Sequence, residues 1–286
     1  MAAPDFSVVM PSYQQAQFIR RSVDSVLSQT GVSIELLVMD GGSTDPTLDV
    51  LRSYDDRVTW VSEPDRGQAH AVNKGIALAR GRYLAWLNSD DLLVPGALAR
   101  VAGRLDRDPA SMWLCGRCRI IDEAGREIRK PITVFKNLLL RRFSYPKLLL
   151  ENFISQPATF FRRRVFDEIG LLSEDRHYDM DYDLWLRLGQ RYQPVVVNEV
   201  LAEFRMHTAS KTNQGFDDSL RAANQLSRRY AAAVGRPWLG TVNYWTYYRR
   251  TALIYRMMAA VGALRDRRST PPAPDAPPGL DPPASG

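Results

Sequence analysis

The stretch YLAWLNSDDLLVP, residues 83–95, runs apolar residues into Asn88, Ser89, Asp90 and Asp91. Adjacent carboxylates at the end of a buried strand repel each other and lose hydration, so they need a compensating charge. A turn can use one Asp to bond its own backbone. A pair, with an Asn two residues before the first, suits a divalent cation, which takes oxygen ligands. Asp40 in VMDGGSTD and Asp65 in EPDRGQ are further acidic loop residues, each just after an apolar run. In MDYDLWLRL, Asp181 and Asp183 stand two apart, about 200° on a helix, so they cannot act as a carboxylate pair. Asp183 reads as an acid at a helix N-terminus, and Asp181 can be read the same way. His207 in EFRMHTASKT, with Arg205 and Lys211 nearby, reads on its own as a structural hydrogen-bonder after a strand.

The elements that must position these residues alternate. FSVVM, IELLVM, VTWVS and YLAWL read as four apolar strands; FIRRSVDSVLSQ, LDVLRSY, AHAVNKGIALA and PGALARVAGRL read as helices between and after them. Pro95 is expected to open the last of these. Strand–helix repetition with continuously apolar strands predicts an α/β fold, a mostly parallel sheet with helices on both faces. Parallel strands align their carboxyl ends on one edge, where open sheets bind ligands. Asp40, Asp65 and the Asp90–Asp91 corner then converge on one crevice. The second half reads as mixed, with a strand in QPATFF, a helix in DLWLRLGQRY and a strand in PVVVNEVLAEFRMH ending at His207.

The composition bounds the partners. The chain has 286 residues, 45% hydrophobic and 24% charged, as in ordinary globular proteins. No run approaches a membrane span of about 20 apolar residues, and the N-terminus lacks a secretory signal, so residence in the cytoplasm is expected. Residues 241–268 carry six Arg against one Asp, leaving residues 1–240 at +3 of the net +6; no nucleic-acid surface is expected there. Cys115 and Cys118 supply two of the four ligands zinc needs, with three His in the chain to complete a set. On a strand their side chains point to opposite faces, so both are expected to be buried hydrophobes. No GxGxxG follows the first strand and no GxxxxGK[ST] occurs, which argues against dinucleotide enzymes and P-loop nucleotidases.

VVMPSYQQAQFIRRSVDSVLSQT, VMDGGSTD, EPDRGQAHAVNKGIALARGRYLAWLNSDD and DYDLWLRL together resemble the inverting family 2 glycosyltransferases with the GT-A fold, over residues 6–212. The resemblance implies a nucleotide-diphosphate-sugar donor, a Mn2+ or Mg2+ cofactor and a glycan or lipid-linked sugar acceptor. It makes the NSDD corner the counterpart of the family's D-x-D, with Asp90 the metal ligand. Asn88 offers a neutral oxygen or bonds the ribose, and Asp91 is a second ligand or the cap of the turn. Asp40 is implied to bond the nucleotide base, Pro11 and Tyr13 to line the base pocket, Asp65 and Arg66 to form the third loop, Asp181 to be the catalytic base, and His207 to bind metal or diphosphate with Arg205 and Lys211 nearby. Met180 departs from the family, which often has an acid there.

Three regions follow: a glycosyltransferase domain over 1–235, a basic aromatic helical segment over 236–268, and a Pro-rich tail over 269–286, expected to be disordered. The middle one, with Trp238, Tyr244, Trp245, Tyr247 and Tyr248, is either an interfacial membrane anchor at the inner face of the membrane or a helix packed on the catalytic domain. The expected function is metal-dependent, inverting sugar transfer to a hydroxyl acceptor in cell-surface polysaccharide or glycolipid assembly. The alternatives are a non-catalytic nucleotide-sugar or glycan binder and a sugar nucleotidyltransferase. The missing Gly-rich basic loop after the first strand weakens the last.

Overall fold

A computed structural model describes residues 3–208, 216–251 and 253. Lys211, the tail over 269–286 and much of the basic segment therefore lie outside the described residues.

The first half forms as its periodicity requires: β1 (Phe6–Ser12), α1 (Ile19–Leu27), β2 (Ile34–Asp40), α2 (Thr47–Arg52), β3 (Thr59–Ser62), α3 (Gln68–Leu78) and β4 (Tyr83–Trp86). A two-residue strand, β5 (Leu92–Leu93), separates the NSDD corner from α4 (Ala97–Arg107). Pro95 does not open α4, because Gly96 adopts φ 68° between them and turns the chain first. Then follow β6 (Trp113–Ile121), β7 (Glu127–Ile128), α5 (Lys130–Arg141), α6 (Tyr145–Leu150), β8 (Thr159–Arg162), α7 (Val165–Ile169), α8 (Met180–Arg191), β9 (Val195–Arg205), α9 (Phe216–Ala233) and α10 (Trp238–Asn243).

The strands join one sheet in the order β3-β2-β1-β4-β8-β6-β9-β5, with β7 paired to β6. The block β3-β2-β1-β4 is parallel, and the mixed second half attaches through antiparallel β8. β6 and β9 pair in parallel, and β5 closes the edge antiparallel to β9. β4 pairs with β1 only from Phe6 to Val9, so Pro11 lies past that ladder and its missing N–H breaks no bond there.

Period-two alternation supplies both faces. Phe6, Val8 and Met10 pack with Ile19, Val23, Val101 and Leu105 of α1 and α4; Val9 packs on the other side with Val72 and Ile76 of α3 and with Trp185 of α8. There the Trp185 ring stacks on Trp113 and Phe161, at 6.0 and 5.9 Å between centroids. Cys115 and Cys118 are buried in different faces of the sheet, so they cannot hold one metal. Burial pushes the Cys118 thiol up to about 12, leaving it a protonated small hydrophobe.

The described part of the basic segment packs on the domain. Leu239 is buried, and Asn243 donates to the Leu150 carbonyl (2.9 Å) while accepting from Asn224 (2.6 Å). Trp238 and Trp245 keep exposed rings.

Candidate active site

β1, β2 and β4 end along one edge, and there a cleft of about 1120 Å³ opens, walled on its far side by α5, the start of α8 and the end of β9. At its floor the NSDD corner is organised from Trp86. The indole N–H can only donate, and it donates to Asn88 Oδ1 (2.9 Å). That fixes the amide: Oδ1 also accepts from Gln68 (2.7 Å), and Nδ2 donates to Asp91 Oδ2 and Gln156 Oε1, each at 3.2 Å. Asn88 lines the cleft, yet its polar atoms build the corner rather than offer a free oxygen.

The two carboxylates part company. Asp91 is fully buried, accepts from Arg205 N–H (2.9 Å) as well as from Asn88, and does not line the cleft. Burial, and then the neighbouring Asp90 charge, raise its carboxyl well above the usual range. Its carboxylate is spent on the Arg205 N–H and the Asn88 amide inside the corner, which is neither the second ligand nor the cap of the turn before Pro95 that its sequence suggests. Arg205 is likewise corrected from a donor contact. Its buried guanidinium donates to the carbonyls of Asp90 (2.8 Å), Asp122 (3.0 Å) and Glu123 (3.1 Å), stapling the corner to the β6–β7 turn.

Asp90 faces the cleft, and its Oδ2 lies 3.0 Å from His207 Nε2. The imidazole packs on the Phe18 ring, 4.6 Å between centroids, at the end of β9. Among the described residues no group of three or more His, Cys, Asp and Glu is placed to hold a metal. One carboxylate and one imidazole still fit Mg2+ or Mn2+, which characteristically take one or two protein ligands and complete their shell with substrate phosphates and water. Asp90 Oδ1 accepts no hydrogen bond from the described residues, so a carboxylate oxygen remains for such a cation.

On the β2–β3 side, Asp40 is fully buried and accepts from Gly42 N–H (3.1 Å), Ser43 N–H (2.8 Å), Ser43 Oγ (2.6 Å) and Ser62 Oγ (2.7 Å). It shapes the DGGS turn from beneath, and Gly41 forms the cleft surface instead. A Cβ on Gly41 would fall 2.7 Å from Asp65 Oδ2, so glycine lets these loops meet. Asp65 lines the cleft and accepts from Gly67 N–H (2.7 Å). Arg66 turns away to pair with Glu174 (2.5 Å) outside the cleft, a correction to its expected role. Pro11 lines the cleft, and Tyr13 stands at it with 61% of its surface exposed.

Asp181 lies in the first turn of α8, half-buried in the opposite wall. Its Oδ1 accepts from Tyr182 N–H (2.7 Å). Burial raises its carboxyl above the usual range; that bond and the Lys136 charge oppose the rise without cancelling it. Asp183, by contrast, is buried and bonded by Arg187 and Tyr230, each at 2.9 Å. Sequence reasoning missed Lys136, Gln68 and Gln156. For Lys136 a signal existed: Thr133, Lys136, Asn137 and Leu140 recur at helical spacing, putting polar residues on the inward face of α5. Its ammonium enters the cleft beside Asp181 and Glu151, and Glu151 also pairs with Arg250 (2.5 Å).

Residues 7–170 match the profile of glycosyl transferase family 2, more than half of the chain. The chain belongs to glycosyl transferase family 2. A glycosyltransferase of Rickettsia typhi is 31% identical to it over 216 residues, 74% of this chain and 67% of that one. Against a longer glycosyltransferase of Rickettsia felis, 31% identical over 211 residues, it spans 35% of the relative. A Mycobacterium bovis protein named PGL/p-HBAD biosynthesis glycosyltransferase is 28% identical over 258 residues, 83% of this chain and 92% of that one. The fold of this family 2 glycosyltransferase is that of S. aureus TarS 1-349 in complex with UDP-GlcNAc (TM-score 0.61, 16% identity, 77% of this chain and 66% of that one). It is also that of the mannosyltransferase PcManGT from Pyrobaculum calidifontis in complex with GDP-Man and Mn2+ (TM-score 0.61, 20% identity, 96% and 78%).

Proposed function

We propose that this glycosyltransferase moves a sugar from a nucleotide-diphosphate-sugar to an acceptor hydroxyl, with inversion at the anomeric carbon and the help of a divalent cation. The observation that carries the reading is that Asp90 with His207, and Asp181 from α8, line a single cleft at the carboxyl edge of the parallel strands. The relatives' complexes with UDP-GlcNAc and with GDP-Man and Mn2+ support the donor class and the cation.

In this reading Tyr13 stacks on the base, with Pro11, Gly41 and Asp65 completing that end of the site. Asp90 and His207 would hold Mn2+ or Mg2+, which would supply positive charge against the diphosphate. Asp181 accepts the acceptor's hydroxyl proton while the acceptor oxygen bonds to the anomeric carbon and the bond to the diphosphate breaks. Its raised carboxyl makes it a stronger base than an exposed aspartate. Lys136 keeps it ionised in a partly dehydrated wall.

The PGL/p-HBAD relative supports a setting in cell-surface polysaccharide or glycolipid assembly. No described helix is long and apolar enough to cross a membrane, and we place the enzyme at the inner face of the membrane, with contact through 241–268. Incubation with uridine and guanosine diphosphate sugars, Mn2+ and glycan acceptors tests the function, read by proton NMR at the anomeric centre. Inverted product is expected. Retained configuration would remove the direct displacement, donor binding without product would make the chain a binder, and release of pyrophosphate from a nucleoside triphosphate would make it a nucleotidyltransferase.

A further inference from the structure

α5 walls the cleft with one face and leaves the other bare. Val134 and Leu138, one helical turn apart, are 62% and 60% exposed. The ridge is bracketed by exposed Lys130 before it and Arg141 and Arg142 after it. No Asp or Glu lies between residues 129 and 147; of the basic residues there, Lys136 enters the cleft and Lys130 pairs with Glu127 (3.8 Å), which leaves Arg141 and Arg142 as the exposed cations at the far end of the ridge. A convex apolar ridge with cations at its end is the pattern of a helix lying in a bilayer interface, where long basic side chains reach the headgroups. It is not the concave surface that would seat a peptide.

We infer that the outer face of α5 docks on an anionic lipid bilayer and so presents the mouth of the cleft to the membrane surface. Charge complementarity favours lipid over a protein partner, since anionic headgroups attract each basic side chain at the surface. At the cleft edge the Arg250 guanidinium lies over the Phe135 ring at 4.9 Å. Ile132, Thr133, Phe135, Lys136 and Asn137 of the same helix line the cleft. A helix seated in the interface therefore sets acceptor groups at headgroup depth beside Asp181. This last step rests on the proposed function; the docking itself does not.

The test is co-sedimentation of the full chain with vesicles of phosphatidylcholine, with and without about 30% phosphatidylglycerol. The parent should sediment with the anionic vesicles, and Val134→Ser/Leu138→Ser should lower the partition coefficient at least about tenfold. Arg141→Gln/Arg142→Gln should abolish the preference for anionic over neutral lipid. Neither pair lines the cleft, so transfer to a water-soluble acceptor should persist in both. A parent that ignores vesicles, or a serine variant that partitions like it, overturns the inference. So does a serine variant that melts well below the parent, since the ridge would then be covered by a segment of the chain itself. Absence of transfer by the parent would instead strike the proposed function and leave the vesicle result standing.

Discussion

Arg205→Met separates a structural staple from a substrate contact. Methionine keeps the length and the apolar stem but removes three donors, those reaching the carbonyls of Asp90, Asp122 and Glu123 at 2.8, 3.0 and 3.1 Å. Each charge-assisted bond is worth about 1.5–3 kcal/mol net. Such terms do not add fully, and the loss of one member of a buried charged network costs about 3–5 kcal/mol. With Arg205 only 1% exposed, solvent screening does not reduce the figure. About 4 kcal/mol, at about 2–4 °C per kcal/mol for a chain of this size, lowers Tm by about 8–16 °C. Because the staple holds the backbone of Asp90, nucleotide-diphosphate affinity in Mn2+ should fall as well. Thermal denaturation and titration calorimetry on the same variant decide the matter. A Tm within about 2 °C of the parent, combined with weakened donor binding, would refute the reasoning and return Arg205 to the donor-contact role expected from its position in sequence.

Asp90→Ala should weaken Mn2+-dependent binding of uridine or guanosine diphosphate at least about tenfold, measured by calorimetry, because the principal anionic ligand is gone. Gly81→Ala should cost about 3 kcal/mol or more in denaturant unfolding, since its Cβ would fall 2.4 Å from Ser7 N and 2.6 Å from the Phe6 carbonyl carbon. The carboxyl of Asp181 is raised in the folded state, so its base form is lost as pH falls through that raised value. The acid limb of kcat should therefore lie above the ordinary carboxylate range, near pH 4. The same shift means that Asp181 contributes stability below the unfolded carboxyl value and loses it as pH rises through the folded one. Asp181→Asn should then melt no lower than the parent at neutral pH.

The first half of the fold was legible because its strands are apolar on both faces and end in turn residues, so a parallel, helix-covered sheet was the only economical reading. β5 was missed because two leucines carry no period, and Gly96 rather than Pro95 sets the start of α4. In the site, motif order located the cleft and the corner, but it could not tell which polar atoms point inward. Asp40, Asp91 and Arg205 sit at the right places in sequence and spend their hydrogen bonds on the loops themselves. Lys136 lay on a segment without a motif, visible only as polar residues on the buried face of a helix. Charge type and spacing identify a site; burial and partner geometry assign the roles within it.

The central claim is that Asp181 removes the acceptor's proton across a cleft whose far side holds the donor. Single-turnover transfer by Asp181→Asn, with donor saturating in Mn2+, tests it most directly. The substitution keeps size and an acceptor oxygen for Tyr182 N–H, so donor affinity should stay within about threefold while the transfer rate falls about 10²–10⁴-fold. A transfer rate within about threefold of the parent would contradict the account.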